Sequence, residues 1–173
     1  KGLLTATVRD TKELITCKKQ EDTSASAFQY YDRQKVLYNG TDSIKNGEFT
    51  FTFAVPRDIN YAAGTGLMNL SAINDNHTLM AQGHEDGFTI DGSEIVYNDS
   101  IGPSIYAYLN SPSFVNGGEV NSTPYFFAQI TDKDGINASG NGIGHDMQLT
   151  IDGKLTQTYI LNDNFRYDFG SYT

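Results

Sequence analysis

The chain has 173 residues, 38% hydrophobic and 19% charged, with a formal net charge of −9. That balance allows a buried core and excludes a disordered composition. The acidic excess excludes nucleic acid and anionic membrane as partners, since both call for Lys/Arg-rich faces. No run of apolar residues is long enough for a transmembrane helix, and Lys1 opens no signal peptide. With 11 Tyr, 10 Phe, 17 Gly and no Trp, the composition suits pleated, turn-rich β structure.

In chain order, residues 3–8 read as a strand ending at Arg9-Asp10, and 13–17 as a short second one. Cys17, the lone cysteine, reads as a strand-end residue rather than a nucleophile helped by Lys18 and Lys19. A catalytic thiol needs a placed base, and no His pattern supplies one. Residues 18–27 are a polar loop; 28–32 and 35–38 form a strand pair followed by a turn at Asn39-Gly40. Asn46-Gly47 launches the clearest strand of the first half, 48–53, with Phe49, Phe51 and Phe53 on one face and Thr50 and Thr52 on the other. Pro56 ends it. Strands follow at 67–73, 78–83 and 88–90, with Asn74 to His77 as a turn. His77 and His84 read as solvated turn residues, since a metal site would need three or four ligands. Roughly six to eight short strands before Gly92 fit a β-sandwich of the immunoglobulin or fibronectin type.

Residues 93–102 read as a linker or seam, with breakers at Asn98 and at Gly102-Pro103. The expected organisation is therefore all-β: a sandwich domain at 1–92 and a partial second sandwich at 103–173. Strands near 104–109, 125–131, 147–152 and 157–161 are only about four, where such a sandwich usually has about seven. An exposed sheet edge and apolar surface should result, implying pairing with another chain, a homodimer included.

The densest pattern lies at 124–165. Asp132, Asp134, Gly135 and Asn137 admit two readings: a calcium loop with oxygen ligands at alternate positions, or an Asx-type turn bonding its own backbone. The bidentate Glu of an EF-hand is missing. His145 with Asp146 reads as a corner-fixing structural turn rather than a catalytic one. No catalytic residue and no cofactor-binding residue is assigned.

Gly102-Pro103, Pro124 with its aromatic strand, Asp134-Gly135-Ile136-Asn137, Gly142-Ile143-Gly144-His145-Asp146, Ile151-Asp152-Gly153 and Leu161-Asn162-Asp163 together form a series. That series resembles the region following the peptidase domain in PorU-type proteins, the cell-surface sortases of the type IX secretion system related to gingipain cysteine peptidases. In the first block Gly47-Glu48-Phe49, Gly64-Thr65-Gly66 and Ala81-Gln82-Gly83 resemble the earlier β-domain of that region. The resemblance implies that the His–Cys catalytic pair lies before Lys1, that this chain is a fragment without catalysis of its own, and that Cys17 is not the family's nucleophile. It implies an exported bacterial protein at the outer membrane surface, with the rest of its own chain and other secretion-system proteins as partners. The alternative is a binding module for carbohydrate or for the tail of exported proteins.

Overall fold

The computed structural model describes residues 1–17, 26–55, 64–91, 100–138, 146–169 and 171. Among them there is no α-helix; the chain is all-β, as its composition and turn spacing predict. The strands are β1 (Gly2–Arg9), β2 (Glu13–Thr16), β3 (Gln29–Asp32), β4 (Val36–Ile44), β5 (Gly64–Thr65), β6 (Leu67–Asn74), β7 (Met80–Glu85), β8 (Thr89–Ile90), β9 (Ser104–Leu109), β10 (Phe126–Thr131), β11 (Gln148–Thr150) and β12 (Thr158–Ile160). Two single 3-10 turns, Leu155–Gln157 and Asn162–Asn164, flank β12.

β1 is the spine of the largest sheet, which runs in the order β4-β1-β6-β7, each neighbour antiparallel. The others are two-stranded: β2 with β3, β5 with β8, β9 with β10, and β11 with β12. Leu4, Ala6 and Val8 of β1 are buried, while Leu3, Thr5 and Thr7 between them are not. That period of two puts one face of the sheet on the core.

Neighbouring Leu37 and Tyr38 of β4 are also both buried, which strict alternation forbids. A bulge explains it. Val8 faces Tyr38, but Arg9 faces Val36, so Leu37 is the extra residue. The core is completed by Ile90, Ile136 and Tyr167. Residues from both sides of the 93–102 stretch therefore meet in one cluster.

Two local readings change, besides the expected strand pair: β3 ladders with β2 and β4 with β1, so 28–32 and 35–38 do not pair with each other. Asn39-Gly40 is not a turn: β4 runs straight through it. Gly40 is needed instead for space, because a Cβ there would strike the ring of Tyr38. Second, 49–53 forms no ladder. Asn46 (φ 55°) and Gly47 (φ 84°) do reverse the chain, and Lys45 and Glu48 exchange backbone bonds at 2.9 and 3.0 Å. Past that bridge the returning segment lies across β4 rather than along its edge. Phe51 and Phe53 stack on Tyr38 with ring centroids at 5.4 and 5.2 Å, while Phe49 is exposed. Phe51 and Phe53 take the buried face that the alternation predicts, Phe49 does not, and the segment forms no ladder. Pro56, His145 and residues 93–99 of the expected seam lie outside the described residues.

Candidate functional site

The β9–β10 ribbon is in register from Phe126 opposite Leu109 to Thr131 opposite Ser104. Its closing corner depends on Asn110 in the left-handed region (φ 60°), whose side-chain Oδ1 accepts the Tyr125 N–H at 2.8 Å. Alternation gives the ribbon two unlike faces. One carries Ile105, Phe126, Ala128 and Ile130. The other carries Tyr106, Tyr108, Phe127 and Gln129, with Tyr108 stacked on Phe127 at 5.3 Å and 19°.

The first, apolar face forms one wall of a cleft of about 660 Å³. The opposite wall is Met147, Gln148, Leu149 and Leu161, from the start of β11 and the residue after β12. Asp132, Asn137 and Asp146, with Gln148, supply carboxylate and amide groups to a lining that is otherwise apolar. Three of the five residues singled out in the sequence thus line one cleft. Asp134 is not among the lining residues, and His145 lies outside the described residues.

The loop from Asp132 has the geometry of an Asx-type turn. Asp132 Oδ1 accepts the Asp134 N–H at 2.9 Å, and its carbonyl accepts the Gly135 N–H at 3.1 Å. Gly135 sits at φ 96°, which a side chain would oppose. The Asp134 carboxylate lies 3.2 Å from Lys133 Nζ. Among the described residues no three His, Cys, Asp or Glu gather closely enough to hold a metal ion.

Two residues that carried no role in the sequence hold this cleft in shape. Asn162 Oδ1 accepts the Met147 N–H at 3.0 Å, and its Nδ2 donates to the Ala138 carbonyl at 3.4 Å, so one amide ties the end of the Asp132 loop to the start of β11. Tyr167 donates its hydroxyl to the Ile136 carbonyl at 2.6 Å and stacks on Tyr38 at 5.0 Å. Its N–H reaches the Asn39 carbonyl at 3.0 Å, docking the segment on the outer edge of β4. Burial pushes the Tyr167 hydroxyl up to about 12, helped by the neighbouring Tyr38 and opposed by the Ile136 bond. Burial, and then Asp42, push Tyr38 in the same direction. The signal available beforehand was only the alternation of Phe165 and Tyr167.

Elsewhere, Cys17 is exposed and free. His77 sits in the β6–β7 turn at φ 57°, a turn closed by Asn74 Oδ1 accepting the N–H groups of Thr78 and Leu79 at 2.8 and 3.0 Å. His84 is on β7 opposite Asn69. Among the described residues no helix is long and apolar enough to cross a membrane. Compared with protein-family models, curated proteins and solved structures, the chain has no match.

Proposed function

We propose that the chain is a non-catalytic β-module whose task is protein contact. In this reading it belongs to a PorU-type, gingipain-like sortase of type IX secretion, and supports or positions the peptidase domain at the bacterial outer membrane surface. The tandem-sandwich division near 93–102 is part of the same reading. The observation that carries it is the apolar cleft. Ile105 is 63% exposed and Phe126 38%, although both line a cleft shared with β11, and the β9–β10 ribbon has no further strand on either edge among the described residues. A ribbon with one apolar face and two open edges is stabilised by a covering layer.

Hydrogen exchange of the β9 and β10 amides tests this, comparing the 173-residue chain with the longer polypeptide that contains the peptidase domain. Protection should rise by about tenfold or more in the longer polypeptide, as buried ladders exchange through rarer openings. Equal protection in both would remove the reading.

The other face of the ribbon favours a second reading. Tyr106, Tyr108 and Phe127 beside Gln129 make an aromatic surface of the kind that stacks on sugar rings, which is the carbohydrate alternative. Loss of glycan binding in Phe127→Ala, with protection at β9–β10 the same in both polypeptides, would favour it over protein contact.

A further inference from the structure

The chain has 12 Lys and Arg against 21 Asp and Glu, yet three of those cations, Arg9, Lys12 and Arg33, line one cavity of about 680 Å³. It lies where the end of β1 and the link between β3 and β4 come together, beside the bulge at Val8 and Arg9. Arg9 Nη1 donates to the Arg33 carbonyl at 3.2 Å. Arg33 Nη2 donates to the Thr65 carbonyl at 3.3 Å and to its hydroxyl at 3.5 Å. Each guanidinium has several N–H donors in a fixed fork, so both are oriented through one nitrogen and keep the others. The Arg33 Nε–H is shut off from solvent and meets no acceptor.

The same cavity is lined by Asp32 and Asp163, and neither is ion-paired with the three cations. Asp32 Oδ1 instead accepts the Arg33 N–H at 2.8 Å. Three positive heads and two negative ones leave a surplus of one positive charge. That matches a single carboxylate better than a phosphate, which carries nearly two. The two carboxylates and the Gln34 amide are hydroxyl partners, of no use to a simple fatty acid but apt for a polyol. Tyr31 and Leu67 add apolar surface for the C–H side of a ring.

We infer that this cavity binds a sugar acid, with its carboxylate on Arg9 and Arg33 and its hydroxyls on Asp32, Asp163 and Gln34. The site is separate from the apolar cleft and does not depend on how that cleft is used.

Titration of the chain with D-glucuronate at low salt tests it, following the Arg33 Nε–H resonance by proton–nitrogen NMR. That resonance should shift saturably with glucuronate, and glucose and acetate should each bind roughly tenfold more weakly or worse, lacking one half of the recognition. Arg33→Lys should weaken glucuronate by a similar factor, because an ammonium keeps the charge and loses the fork. Lys12→Met, at an exposed position, should weaken it less and leave the backbone amide spectrum unchanged. No saturable shift with glucuronate would overturn the proposal. So would equal affinity for acetate, which would mean an adventitious ion only. Undiminished binding in Lys12→Met and Arg33→Lys with native spectra would do the same.

Discussion

Tyr167 concentrates more of the architecture than any other residue. It is 4% exposed, it stacks on Tyr38, and its hydroxyl is the donor for an otherwise buried carbonyl at Ile136. Removing that oxygen by Tyr167→Phe leaves the carbonyl unpaired and should cost about 1–3 kcal/mol in a urea melt. The same phenol sets an alkaline limit. Its folded pKa, about 12, lies above the ordinary value of 10.0. The unfolded chain therefore ionises first, and the stability present below that ordinary value is lost as pH rises from it through about 12. Tyr38 shifts the same way and adds to the loss. Melts across this range should show the decline, and it should be smaller in Tyr167→Phe. A flat profile there would mean that neither phenol is buried in solution. Asn162→Ala should be milder in stability but should loosen the cleft, read as faster exchange of the Met147 amide.

At the scale of strands, β4 shows how side-chain volume and backbone geometry constrain each other. Its bulge lets Leu37 and Tyr38 both enter the core, and Gly40 clears room for the Tyr38 ring, which is hemmed in by Phe51, Phe53 and Tyr167. Gly40→Ala should therefore destabilise by about 1–3 kcal/mol, as overpacking does, since no neighbour of that ring can give way. A melt unchanged from the parent would show that the ring is mobile.

These features also mark what the sequence discloses. Strands 67–73, 88–90, 104–109 and 125–130 were legible because periodicity and turn residues are local signals. Asn39-Gly40 misled because the same dipeptide serves a hairpin corner or a crowded strand, and only the position of Tyr38 decides. The Phe49 to Phe53 stripe gave the buried face but not the pairing, because β4 already spends one edge on β1 and presents its face, not its edge, to this segment. For the site, Asp132, Asn137 and Asp146 were legible as polar turn residues. That they share a cleft with Ile105 and Leu161 depends on tertiary approach, and Asn162 and Tyr167 act through partners far along the chain.

At the scale of the whole molecule, large apolar side chains stand exposed among the described residues, Ile105 at 63%, Tyr125 at 74% and Leu155 at 89%. Net charge −9 should oppose the approach of two copies, and the ribbon's apolar face should favour it. Raising salt from about 0.05 to 0.5 M shortens the range of the repulsion and leaves the apolar attraction. Sedimentation velocity should then show increased self-association, abolished by Ile105→Asp with Phe126→Asp. Association that salt reduces would assign the contact to charges instead.

The docking of Arg166 and Tyr167 on Asn39 and Gly40 joins positions 127 residues apart in sequence. Closing so long a loop costs chain entropy before any packing repays it. On a ribosome, moreover, β1, β4 and β6 emerge and can form their ladders while that closing segment is still unsynthesised. Tyr38 must then wait with one face of its ring uncovered. This makes the segment around Tyr167 a latch set late in folding, and it predicts a slow kinetic phase, seen in tyrosine fluorescence, that vanishes when Tyr167 is replaced.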